Sequence, residues 1–176
     1  MLSAASSASK PIVFISESLG SKVAFDAIYK LQTSPDAAEE AAGVRIFDRF
    51  AQVFMGANQL PILALADQDI SDGVKARGLS DYPADSLGAL LGSRTLRSSV
   101  MAQRPLQVVA FTDPNDLLSY ALARSTSEIS FDVIDVIVSN ESTLFGLFER
   151  PDTAHTGYLK NGVVTKLIAC GTKGCP

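Results

Sequence analysis

A serine hydroxyl is a weak nucleophile until a neighbouring base takes its proton, and histidine is the usual base near neutral pH. The chain has a single histidine, His155, in the stretch Asp152-Thr153-Ala154-His155-Thr156-Gly157. Those surroundings are polar and turn-like, so the ring is expected on a loop rather than in a core; the plain alternative is a surface histidine without a role. Ser18 sits in Ser16-Glu17-Ser18-Leu19-Gly20, with a small residue two positions before it and two after. A serine so flanked, between a strand and a helix, suits a turn so tight that larger side chains at those two positions would strike neighbouring strands, and which lifts its Oγ clear of a sheet. The same turn puts Ser18 at a helix N-terminus, where the backbone N–H of Leu19 can face a developing oxyanion. The competing account is that Ser18 or Ser21 caps the helix, which serine does readily. A phosphate-binding loop at Gly20-Ser21-Lys22 lacks the order Gly-Lys-Ser/Thr that such a loop requires.

These residues need elements to hold them. Pro11 opens the apolar run Ile12 to Ile15, which reads as a short buried strand. From Ser21, Val23, Ala24, Ala27, Ile28 and Leu31 recur at helical spacing, with Lys22, Asp26 and Lys30 on the other face. A second helix is expected from Pro35-Asp36, with Glu39 and Glu40 near its positive end and Gly43 as a breaker. Ile46, Phe47, Phe50 and Phe54 continue a helical stripe, and Pro61 to Ala66 reads as a strand. Residues 67–104 are polar and glycine-bearing, with helical hints at Leu87–Leu91 and Leu96–Met101. Leu106 to Phe111 reads as a strand, followed by a short helix through Tyr120 and Leu122. Phe131 to Val138 is a further strand, and Val163 to Ala169 a weaker one. Strands alternating with helices predict an α/β fold, a mainly parallel sheet of four or five strands with helices on both faces. Active residues in such a sheet lie at the carboxyl ends of its strands.

Ser16-Glu17-Ser18-Leu19-Gly20 resembles the nucleophile elbow G-x-S-x-G of the α/β hydrolases, with Ser16 in place of the first glycine. The resemblance, to the C-terminal portion of a serine esterase or lipase from the elbow onward, runs from Pro11 to about Ala169. It implies a triad in the order serine, acid, histidine, each on a loop after its own strand, so the acid falls between Ser18 and His155. The loop after the Leu106 strand, Thr112-Asp113-Pro114-Asn115-Asp116-Leu117-Leu118, resembles the family's acid loop, and Asp116 fits its spacing best. Local helix chemistry accounts for the same residues without catalysis: Asp113 as N-cap, Pro114 as first helical residue, Asp116 as an acid near the positive end. Asp113 is the better cap, which leaves Asp116 freer to reach an imidazole; Asp132 and Asp135 lie within a strand and fit less well.

The resemblance also implies about four further strands before the elbow, with a second oxyanion donor on a loop among them. Residues 1–10 read as a flexible leader, and the rest as the C-terminal portion of a hydrolase domain with a cap inserted at 67–104. A sheet beginning at the elbow would have a bare edge, to be covered by association.

Composition narrows the partners. In 176 residues, 47% of them apolar, there is ample material for a core. A net charge of −4 and scattered basic residues argue against a nucleic-acid surface. No apolar run approaches the ~20 residues of a membrane span, and no targeting segment is evident, which makes the cytoplasm the default. Cys170 and Cys175 either pair or stay free, and with one distant histidine they form no zinc site. The expected activity is hydrolysis of a small-molecule or lipid ester by Ser18, His155 and Asp116, with no metal or organic cofactor. The alternative is an inactive hydrolase remnant serving as a binding module.

Overall fold

Ile12–Glu17 forms β1 directly after Pro11, and the chain then turns at Ser18 into helix α1, Gly20–Gln32. The computed structural model describes residues 10–66, 85–97, 102, 104–122, 131–140 and 150–172. Helix α2 (Ala37–Asp48) begins at Asp36, whose carboxylate accepts the Ala38 and Glu39 N–H groups, the usual way an N-cap satisfies orphan donors. It is followed by β2 (Phe50–Gly56), α3 (Leu60–Ala66), α4 (Ser86–Thr95), β3 (Leu106–Thr112) and β4 (Phe131–Ile137). A short helix α5 (Pro151–Thr156), a 3-10 turn (Tyr158–Lys160) and helix α6 (Gly162–Cys170) complete the described chain.

The fold is α/β. Among the described residues the sheet has four strands, all parallel, in the order β1-β2-β3-β4. Their register aligns Phe14, Val53, Val108 and Val133 in one row and Ile15, Phe54, Val109 and Ile134 in the next. Successive residues of a strand point to opposite faces, so the two rows feed two cores. The first row packs with Phe25 and Ile28 of α1, Phe47 of α2, and Leu87, Leu90 and Leu91 of α4. Phe54, Val109 and Ile134 of the second row pack with Tyr158 and with Val164, Leu167 and Ile168 of α6. Helices thus cover both faces, and β2 and β3, buried on both sides, show no alternation of apolar and polar residues.

Four expectations for local structure are corrected. The helical stripe at Ile46, Phe47, Phe50 and Phe54 is cut at Asp48: Phe50 and Phe54 belong to β2, paired with β1 on one side and β3 on the other. Pro61 to Ala66 is helix α3, not a strand. Asn58 Oδ1 accepts the Leu60 N–H at its start, and Pro61 falls in the first turn, where a missing N–H costs nothing. Val163 to Ala169 is helix α6; Asn161 Oδ1 caps it by accepting the Val163 and Val164 N–H groups. In place of a short helix after Asp113, residues 113–118 run as turns.

Gly43 does not break α2. It lies inside the helix where a Cβ would come within 2.8 Å of Gln32 N and Leu31 Cβ, so its lack of a side chain lets α1 and α2 meet. Arg94 of α4 is fully buried and donates to the carbonyls of Phe47, Phe50, Ala102 and Arg104 at 2.9–3.1 Å. One guanidinium thereby ties the end of α2, the start of β2 and the lead into β3 to a single helix. Of the stretch 67–104 expected as a cap, residues 86–95 are this core helix, and residues 67–84 lie outside the described residues. Cys170 is disulfide-bonded; Cys175 lies outside the described residues. Among the described residues, no helix is long and apolar enough to cross a membrane.

Candidate active site

The carboxyl ends of β1 and β3 and the segment after β4 bring Ser18, Asp116 and His155 together. His155 Nε2 lies 3.1 Å from Ser18 Oγ, and His155 Nδ1 lies 3.0 Å from both carboxylate oxygens of Asp116. An ionised carboxylate can only accept, so Nδ1 carries the proton and Nε2 is left as an acceptor for the serine hydroxyl. The Asp116 side chain is 1% exposed and that of His155 22%, so the imidazole keeps some access to solvent while the carboxylate keeps almost none.

Ser18 follows β1 with a φ of +54°, in the left-handed region that side chains other than glycine rarely occupy. Such a conformation costs on the order of 1–3 kcal/mol and persists only where the surroundings enforce it. Here its N–H donates to Gly56 O at the end of β2 (2.9 Å). The residue at the head of α1 is Leu19, with no side-chain cap, so neither Ser18 nor Ser21 is there as a capping group. Ser21 is buried and its hydroxyl pairs with Ser16 Oγ at 2.8 Å. Ser16, which stands where the elbow has its first glycine, is therefore held within the turn. The steric demand expected at Gly20 is not found: a Cβ there would meet only Ser16 Cβ, at 3.8 Å. Backbone conformation at Ser18, rather than crowding at Gly20, makes the turn sharp. Leu19 has helical angles, and its N–H is among those at the start of α1 that have no acceptor within the helix.

The two candidate acids are separated by what they bond. Asp116 Oδ1 accepts the Leu118 N–H and Oδ2 accepts the Tyr158 hydroxyl, both at 3.0 Å, while both oxygens face His155. Asp113 is fully buried; Oδ1 accepts the Asn115 N–H (2.9 Å) and Oδ2 the Asn140 N–H (2.7 Å), clamping the loop after β3 to the end of β4. Asp135 Oδ1 accepts the Leu122 N–H, and Asp132 is exposed on β4.

His155 is not on a loop but on α5, with Pro151 at the helix start. Asn140 Nδ2 donates to Ala154 O (2.6 Å), and Asn161 Nδ2 donates to Ser139 O (2.8 Å), so the segment carrying His155 is stitched to the end of β4 from both sides. Gly157 permits that approach: a Cβ there would lie 2.7 Å from Asn140 Cβ. Tyr158, Asn140, Asn161 and Gly56 were not picked out from the sequence as residues of the site. For Asn161 the signal is an asparagine just before an apolar run, an ordinary helix start; for the other three it lies only in contacts distant along the chain.

Leu19 after β1 and Leu117, Leu118 and Tyr120 on the loop that carries Asp116 are exposed apolar side chains; Asn115 on the same loop and Thr156 beside His155 are exposed and polar. Among the described residues, no three of His, Cys, Asp and Glu cluster as metal ligands do. Comparison with known proteins finds no family model, no curated protein and no solved structure that matches the chain.

Proposed function

We propose that the chain is a serine hydrolase that cleaves carboxylic esters through an acyl-enzyme. The observation that carries this reading is the imidazole of His155, bonded through Nε2 to Ser18 and through Nδ1 to a buried aspartate. Ser18 Oγ attacks the ester carbonyl as its proton passes to His155 Nε2. The Asp116 carboxylate holds the tautomer and balances the imidazolium. Collapse of the tetrahedral intermediate breaks the bond to the alcohol, which leaves with the proton from Nε2. Water, activated by the same nitrogen, then hydrolyses the acyl-serine and restores Ser18. The Leu19 N–H and the positive end of α1 suit the oxyanion.

The order serine, aspartate, histidine and the strained conformation of Ser18 agree with the α/β-hydrolase resemblance. The apolar residues Leu19, Leu117, Leu118 and Tyr120 favour an ester with an apolar acyl or alcohol part, a small molecule or a lipid, processed without cofactor. A second reading, a catalytically inactive remnant that binds a partner, is favoured by β1. Among the described residues it is an edge strand, and its own Val13 and Ile15 are about half exposed.

A fluorophosphonate probe tests the choice. The enzyme labels, and labelling disappears in Ser18→Ala. A folded chain that fails to label, or whose labelling survives Ser18→Ala, refutes the proposed nucleophile.

A further inference from the structure

We infer that Tyr158 is a positioning residue for this triad: its buried hydroxyl holds the Asp116 carboxylate in place against His155. The inference rests on the reading of Ser18, His155 and Asp116 as a catalytic set. Tyr158 is fully buried, three residues after the base on the same segment. Its oxygen accepts the Asp113 N–H at 2.9 Å. With that donor on one side, the phenolic proton is left for Asp116 Oδ2, 3.0 Å away. The segment that supplies the base thus also supplies a clamp on the acid.

The ring reaches this position because β2 ends in glycine. A Cβ at Gly56 would lie 3.1–3.2 Å from Tyr158 Cβ and Cγ, closer than ordinary contact. Burial above all, with a lesser push from the Asp116 carboxylate, raises the phenol's pKa above its ordinary value against the opposing hydrogen bonds of Ser119 and the Asp113 backbone. The group therefore remains a donor wherever an aspartate-histidine pair works.

Oδ2 of Asp116 serves two donors, Tyr158 and His155. Taking one away concentrates negative charge on the other bond, because donors sharing an acceptor compete for its lone pairs. A residue present only to fill space would have no such effect.

Because His155 is the sole histidine, its Nδ1–H proton can be assigned without ambiguity by NMR. The measurement is made in Ser18→Ala, so it needs no turnover. Tyr158→Phe is expected to move that resonance downfield as the His155–Asp116 bond strengthens. Replacing Tyr158 with 3-fluorotyrosine, which keeps both hydrogen bonds and makes the phenol a stronger donor, is expected to move it upfield; this variant decides the matter where Tyr158→Phe fails to fold. In the chain with Ser18 intact, Tyr158→Phe lowers kcat for a p-nitrophenyl ester by roughly 10- to 100-fold with KM little changed, because a carboxylate released by the hydroxyl draws the imidazole towards itself and off its line to Ser18. A resonance that stays put on fluorination, or moves the other way, overturns the inference. Absence of ester hydrolysis in the unsubstituted chain overturns the enzyme reading instead, while the NMR comparison still reports on Tyr158.

Discussion

The same substitution, aspartate to asparagine, made at two positions three residues apart should have opposite consequences. In Asp116→Asn the amide oxygen can keep the Leu118 N–H, which now bonds Oδ1 at 3.0 Å. The amide NH2 then faces His155 Nδ1, where a carboxylate oxygen lies 3.0 Å away. A donor at that place forces the imidazole to carry its proton on Nε2, and Nε2 can no longer take one from Ser18. In Ser-His-Asp triads this change lowers kcat by about 10,000-fold, equivalent to about 5 kcal/mol of transition-state stabilisation. Asp113 faces no imidazole; its two oxygens accept the Asn115 and Asn140 N–H groups. Asp113→Asn keeps one acceptor and sets a donor against the other N–H, a loss of roughly 1–3 kcal/mol of stability. It leaves kcat per folded molecule within a few-fold. Initial rates on p-nitrophenyl butyrate, corrected for the folded fraction by circular dichroism, separate the two effects. A folded Asp116→Asn within tenfold of the parent rate refutes the assignment of the acid, as does a folded Asp113→Asn that loses activity by thousands.

Gly56→Ala should destabilise the fold by about 1–3 kcal/mol in urea denaturation, since the added carbon overpacks against the Tyr158 ring; no change would place that ring elsewhere. Ser18→Gly should be more stable than Ser18→Ala by roughly 1 kcal/mol, because glycine relieves the φ of +54° and alanine does not; equal melting temperatures would deny the strain. Stability should fall at alkaline pH and fall less steeply in Tyr158→Phe. Tyr158 titrates above its ordinary value in the folded chain, so its contribution is complete below a pH of about 10, where an unfolded tyrosine titrates. It is then lost at up to about 1.4 kcal/mol per pH unit above that. Parallel pH profiles for the two proteins would refute the burial of a protonated phenol.

The elements that could be read from the sequence are those whose pattern is local. Pro11 followed by Ile12 to Ile15, and then the helical spacing from Val23 to Leu31, specify β1 and α1 with nothing else in view. Strand β2 could not be read that way. Phe47, Phe50 and Phe54 satisfy a helical spacing, and the strand shows no alternation because partners bury it on both faces. Helix α6 was hidden by Val163, Val164 and Ile168, residues with a preference for strands, although Asn161 marked its start. Ser18, Asp116 and His155 could be proposed because each is a chemically distinctive side chain near the end of an element. Between Asp113 and Asp116 the sequence offered only spacing. The decision lies in which carboxylate meets the ring, and that depends on where α5 docks against β4.

The docking of α5 is itself a consequence of the sheet. Gly56 accepts the Ser18 N–H through its carbonyl and admits the Tyr158 ring where a side chain would otherwise stand. One residue at the end of β2 therefore holds the turn at Ser18 from one side and admits the ring that bonds Asp116 on the other. Neither α1 nor α6 contributes a side chain to the hydrogen bonds among Ser18, His155, Asp116 and Tyr158. Those helices cover the two faces of the sheet, and the strand ends set the distances. A substitution in the α1–α2 contact, such as at Gly43, should therefore reduce the folded population while leaving the rate per folded molecule close to the parent value. A substitution at Gly56 should change both, because there the support of the fold and the geometry of the site depend on the same atoms.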